Sequence, residues 1–306
     1  MRTAIVRARD TGLLLLAMGS WSKRPAAVAV AGVMLVAAAC GGGDETSGAP
    51  QLPAAAPAKA FELADFQPGQ ATPAGKPADV SFEIKQPSGK ALTDYATGDG
   101  PHTGVHLLFV RDDLSTIIHR HPPVKPDGTI DDKVTFKEPG RYRVVVDAYP
   151  KATGSLKNFQ LFRWMDVGGQ AETAPLPAFE ATQKVGGYTF RMAGTPQLKA
   201  VEATLLKVTV TAPDGKPAEF TPYYGALAHA IFFRADSLDY FHTHVCAPGA
   251  TGCTSQLGSA QVTGTSSTPG DLEIGVLLPV AGTWRLFVQT KVNGKVLTAP
   301  FTLTVT

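Results

Sequence analysis

The chain has 306 residues, 44% hydrophobic and 18% charged, a balance that suits packed globular domains and excludes a wholly disordered polymer. Its formal charge of +2 arises from 28 basic and 26 acidic residues. Five of the basic residues and one of the acidic residues fall in residues 1–39, so the rest carries 23 against 25 and offers no basic stripe for nucleic acid.

From the amino terminus, Lys23 and Arg24 precede an uncharged apolar run from Ala26 to Ala39, followed by Cys40. This segment resembles a bacterial lipoprotein signal peptide (1–39) with Cys40 as the lipidated residue, although Ala37 stands where leucine is usual. A retained transmembrane helix is the rival, but the run falls short of the roughly 20 residues that span a bilayer. Residues 1–19 are unusual for such a leader, and translation from Met18 would remove most of them. Residues 40–58 are rich in Gly, Ala and Pro and read as a flexible tether. The expectation is a protein on the extracytoplasmic face of the cell membrane, its partner being the membrane through the lipid anchor.

The remainder divides into two copies of one unit, residues 59–168 and 184–306, joined by a linker over 169–183. The window from His106 to His121 aligns with that from His229 to His244 without a gap, and six of sixteen positions are identical, three of them His. Upstream, Pro87, Gly89 and Lys90 match Pro213, Gly215 and Lys216; downstream, Gly140, Arg143 and Val146 match Gly282, Arg285 and Val288. Each copy reads as seven short strands: 60–66, 79–86, 104–111, 116–121, 129–137, 141–149 and 158–167, then 187–193, 202–211, 226–234, 239–245, 271–278, 283–291 and 295–305. Leu206, Val208 and Val210 alternate with Lys207 and Thr209, as a half-buried strand requires, and Asn293-Gly294 marks a hairpin turn. The predicted fold is all-β, with two tandem immunoglobulin-like β-sandwich domains after the signal peptide and tether.

All seven histidines lie in the matched regions, and six form H-x12-H-x-H once per copy: His106, His119 and His121, then His229, His242 and His244. His102 is extra. Residues two apart on a strand share a face, so each H-x-H pair projects together. If Arg111 pairs with Thr116, His106 falls opposite His121, and the same arithmetic sets His229 opposite His244. Three imidazoles then converge within each copy, a donor set for Zn²⁺ or Cu²⁺. A one-residue slip would remove the site. A hydrogen-bonded structural His cluster is the plainer alternative, and pH sensing another. The His-bearing strands are apolar on both faces (Leu107 and Leu108, Phe232 and Phe233), so the two His faces are predicted to pack against each other.

Cys246 and Cys253 are the cysteines left after Cys40, and in an exported chain such a pair forms a disulfide. Cys246 as a soft thiolate ligand is the competing reading. Met165 and Met192 read as core, as do Tyr142 and Trp284, and Arg111 with Asp113 and Arg234 with Asp236 as turn ion pairs.

Each copy resembles the secreted immunoglobulin-like domains of the YtkA/FixH-like kind. The resemblance rests on His229 to His244, Gly282, Trp284, Arg285, Gln289, Gly294 and Thr298 to Phe301. The second copy departs from the pattern at Val245 and Cys246, and the first lacks the terminal Ala-Pro-Phe. The resemblance implies copper or heavy-metal handling, with an envelope metal-handling protein as partner. The leading expectation is therefore a non-enzymatic lipoprotein binding copper or zinc. A structural or interaction module of the envelope is the alternative. A zinc enzyme with three histidine ligands, on the strand arrangement seen in α-class carbonic anhydrases, is third, since no base is evident beside the histidines.

Overall fold

The computed structural model describes residues 60–97, 104–151, 158–250, 253, 256–257 and 260–306. The predicted signal peptide, Cys40, the tether and His102 lie outside the described residues. The first repeat contains β1 (Glu62–Gln67), β2 (Thr72–Pro73), β3 (Pro77–Lys85), β4 (Val105–Arg111), β5 (Ile117–Arg120), β6 (Ile130–Thr135), β7 (Gly140–Ala148) and β8 (Phe159–Gly168). The second contains β9 (Thr182–Val185), β10 (Tyr188–Met192), β11 (Thr204–Thr211), β12 (Ala228–Arg234), β13 (Tyr240–Cys246), β14 (Gln256–Leu257), β15 (Ala260–Gln261), β16 (Gly264–Thr265), β17 (Asp271–Val276), β18 (Gly282–Val292) and β19 (Lys295–Val305). No helix occurs among the described residues.

In the first repeat β1, β3 and β6 form one layer, and β2, β8, β7, β4 and β5, in that order, form the other. The second repeat joins the same two layers into one sheet, ordered β19-β18-β12-β13-β16-β17-β11-β10-β9, with short β16 as the bridge. Alternation explains the outer layers: in β11, Leu206, Val208 and Val210 are buried while Leu205, Lys207 and Thr209 face solvent. Each sandwich has its own core. One gathers Val80, Phe82, Phe109 and Tyr142; the other gathers Phe190, Val210, Phe232 and Trp284. Met165 and Met192 lie in these cores.

The seven predicted strands of each repeat are all present. β9 is a further strand that starts at Thr182, inside the stretch read as linker, and pairs with β10. Its residues Thr182, Gln183 and Lys184 carry no apolar alternation, so an edge strand there leaves no pattern to read.

The repeats share a turn device. Gly140 and Gly282 adopt φ values of 138° and 135°. A Cβ there would lie 2.6 Å from Arg111 Nε and 3.0 Å from Arg234 Nε, so the glycines admit the guanidinium groups. Those groups also pair with Asp113 and Asp236, both at 3.2 Å. Two residues beyond each glycine, the Tyr142 hydroxyl donates to the Glu138 carbonyl at 2.8 Å and the Trp284 indole to that of Val280 at 3.2 Å.

A third apolar cluster lies between the sandwiches. It joins Leu108, Val110 and Val145 of the first repeat to Ile231, Phe233, Tyr240 and Phe287 of the second. The expected packing of one His face on the other is thus what the structure shows. Fully burying an aliphatic or Phe side chain of this kind contributes about 1.5–3 kcal/mol. This cluster borders the histidines, since Leu108 pairs with His119 and Ile231 with His242 across their hairpins.

Candidate metal centre

Hairpin register brings the imidazoles to one side. Arg111 N–H donates to the Thr116 carbonyl at 3.0 Å, and Leu108 pairs with His119. In the second repeat His229 pairs with His244 and Ile231 with His242. His106, His119, His229 and His244 are at most 2% exposed, whereas His121 and His242 are partly buried.

The grouping differs from the one expected. Sequence placed one triad in each repeat, His106/His119/His121 and His229/His242/His244. The structure instead assembles His106 with His242 and His244, and His119 with His229 and His242. In each group the ligand nitrogens lie within 4.8 Å of one another. The reason is geometric. Facing sheets pack about 10 Å apart, so imidazoles from opposite sheets meet midway, the rings of His106 and His242 edge-on at 4.8 Å and those of His119 and His229 edge-on at 4.9 Å. His121 belongs to neither group; it stacks on Tyr224 with centroids 3.9 Å apart and lies 2.9 Å, Nε2 to Nε2, from His119.

Three acceptors orient three of the rings. His106 Nδ1 donates to Asp147 Oδ2 at 3.4 Å, His119 Nδ1 to Gln289 Oε1 at 3.2 Å, and His229 Nε2 to the Tyr223 carbonyl at 2.7 Å. The Gln289 assignment is supported at its other end, where Nε2 donates to Thr298 Oγ1 at 3.1 Å. Protons assigned in this way leave lone pairs on His106 Nε2, His119 Nε2 and His229 Nδ1. An imidazole held at one nitrogen by an acceptor, with the other directed into a cluster, is the arrangement of a metal ligand and its supporting shell.

Burial pushes the pKa of His119 and His242 well below the ordinary imidazole value of 6.5, and neighbouring imidazoles push the same way. Burial does the same to His121. Neutral imidazoles are the form that binds metal.

Asp147, Gln289, Tyr223 and Tyr224 are absent from the sequence-predicted site. Asp147 is 2% exposed and accepts from Asn158 Nδ2 (2.8 Å) and from the hydroxyls of Tyr149 (3.2 Å) and Tyr240 (3.4 Å), besides His106. Burial raises the pKa of both tyrosines well above 10, and the Asp147 charge adds to it, so both remain donors. A signal was present: Asp147 and Gln289 follow the matched Val146 and Val288, and each pairs across the ladder with a predicted ligand, His106 and His229 respectively. Cys246 is bonded to Cys253, with Cα atoms 5.7 Å apart, so its sulfur is not a free thiolate.

Residues 183–306 match a family described as Domain of unknown function (DUF8832). No curated protein matches the sequence. Among solved structures the chain is similar to the tetra-tandem repeat in the extending region of a large adhesion protein, at 9% identity over 80% of this chain and 48% of that chain, TM-score 0.24. It is similar also to invasin, a bacterial integrin-binding protein (14% identity, 80% and 38%, TM-score 0.21). A third is the fibronectin(III)-like modules of Clostridium thermocellum CbhA (13% identity, 80% and 92%, TM-score 0.18). The chain thus spans less than half the length of the first two. Overlaps this loose carry nothing about activity or partner, and the all-β fold rests on the strand pairing above.

Proposed function

We propose that this protein binds a transition metal, copper or zinc, at the interface of its two sandwiches, with imidazoles of both repeats as ligands. One observation carries the reading: two three-His groups, each built from both repeats, with His106, His119 and His229 each oriented by an acceptor at its outer nitrogen. Imidazole donors suit Zn²⁺ and Cu²⁺. The resemblance to YtkA/FixH-like domains points the same way. With Cys40 as a lipid anchor, the site would serve metal homeostasis on the extracytoplasmic face of the membrane, as a buffer or chaperone without turnover. An envelope metal-handling protein would be its donor or acceptor.

Calorimetric titration of the purified chain with Zn²⁺ and Cu²⁺ tests this. Binding below the micromolar range, with a rise in the unfolding temperature, is expected, because metal at 100 times its Kd adds about 2.7 kcal/mol of stability. If neither ion binds and neither shifts the transition, the reading is overturned.

A second reading is favoured by the imidazole–imidazole hydrogen bonds themselves, His119 to His121 at 2.9 Å and His229 to His242 at 3.0 Å. On it the cluster is a polar clasp holding two sandwiches of a structural or interaction module together. The same titration separates the two, since a clasp needs no ion.

A further inference from the structure

Of the six histidines, His242 alone is in both groups. Its ring is the hub of the cluster: centroids of His244, His106, His119 and His229 lie 4.6, 4.8, 5.0 and 5.2 Å from it. The hydrogen bonds fix its tautomer. The Tyr223 carbonyl can only accept, so His229 carries its proton on Nε2 and presents a lone pair at Nδ1. That lone pair lies 3.0 Å from His242 Nε2, which is therefore the protonated nitrogen of His242. His242 Nδ1 then holds a lone pair, and it is buried with no hydrogen-bond partner among the described residues. A buried acceptor without a donor is costly, and a cation at that lone pair removes the cost.

Resting on the metal-binding reading above, we infer that His242 bridges two metal ions as an imidazolate. Nδ1 binds the ion shared with His106 and His244; Nε2 binds the ion shared with His119 and His229. The two nitrogens of an imidazole point away from each other, so each group keeps its own ion on its own edge of the ring. The first ion meets a lone pair at Nδ1 and displaces no proton there. The second replaces the Nε2 proton: the N–H bond breaks, the nitrogen–metal bond forms, and the proton leaves to solvent. No metal changes oxidation state. The imidazolate and the Asp147 carboxylate behind His106 place two negative charges against two dications, which offsets the repulsion of paired ions in a buried site. His121 covers the His119 Nε2 lone pair before loading. Its ring lies on the Tyr224 face at the partly exposed side of the cluster and turns aside for the second ion.

The test is a Cu²⁺ titration of the purified full chain, followed by calorimetry, by proton release in weakly buffered solution and by electron paramagnetic resonance at low temperature. We expect two Cu²⁺ per chain, proton release with the second equivalent, and loss of most of the integrated spin signal as the two ions couple through the imidazolate. His242→Ala and His242→Gln should each retain the full spin of whatever copper they bind. Since the coupling is read in the unmodified chain, the inference does not depend on either variant folding. If a single copper binds, or two bind with undiminished spin, the bridge is overturned while metal binding stands. If no copper binds, the bridge is overturned, and metal binding falls with it only when the Zn²⁺ titration above is also blank.

Discussion

Replacing Asp147 with Asn isolates what a buried carboxylate does for the site. The substitution keeps the shape and removes one charge and one acceptor. Asp147 receives four donors: Asn158, Tyr149, His106 and Tyr240. In the Asp147→Asn chain the new amide oxygen still accepts from Asn158, but the amide NH2 faces the His106 ring. His106 must then present a lone pair at Nδ1 and carry its proton on Nε2, the nitrogen aimed at His242 and His244. Loss of such a supporting partner costs about 10–100-fold in metal affinity, equivalent to about 1.4–2.8 kcal/mol. The metal-free chain should also lose about 1.5–3 kcal/mol, the worth of a hydrogen bond to a charged group. Competition titration with a Zn²⁺ indicator reads the first quantity and urea unfolding the second. Gln289→Leu is the matched control, since it releases His119 of the other group. An Asp147→Asn chain that unfolds at lower urea yet binds the first Zn²⁺ with unchanged affinity would refute the orienting role.

Three further outcomes follow from the same contacts. The folded-state pKa values of His119, His121 and His242 are depressed, so the unfolded chain takes up their protons first. The metal-free chain should keep its stability above about pH 6.5 and lose about 1.4 kcal/mol per pH unit for each of these residues below it; an unfolding temperature constant from pH 7.5 to 5 would contradict this. Phe233, fully buried between the sandwiches, should cost about 3–5 kcal/mol when changed to Ala and should weaken metal binding as well, as unfolding and titration of one sample would show. Cys246→Ser with Cys253→Ser should lower stability by about 2 kcal/mol, as expected for a short loop, and leave metal affinity unchanged, because neither sulfur is a ligand.

Much of the fold was legible because both strand periodicity and duplication are local. Leu206, Val208 and Val210 announce β11 without help from the rest of the chain. The two-sided apolar character of β4 and β12 announced a covered second face, which is the interface. Hairpin arithmetic placed His229 opposite His244 correctly. The makeup of the triads was not legible. Strand register says which side chains share a face, but not which of them meet across the two sheets that pack through Leu108, Val145, Ile231 and Phe287. Asp147 is hidden from the sequence for a related reason. It sits on β7, beyond the hairpin that carries the histidines, and only the β4–β7 ladder brings it to His106. Tyr223 and Tyr224 lie on the approach to β12, where a positive φ at Tyr224 (47°), rather than any periodicity, accompanies the stacking of its ring on His121.

The most direct measurement compares metal stoichiometry in two triple variants, His106/His119/His121→Ala and His229/His242/His244→Ala, with both shown to be folded by their unfolding transitions. Because each group draws on both repeats, we expect either variant to lose tight binding of every ion. Retention of one ion at the affinity of the unmodified chain, in either variant, would mean that the repeats bind metal separately and that no shared centre exists.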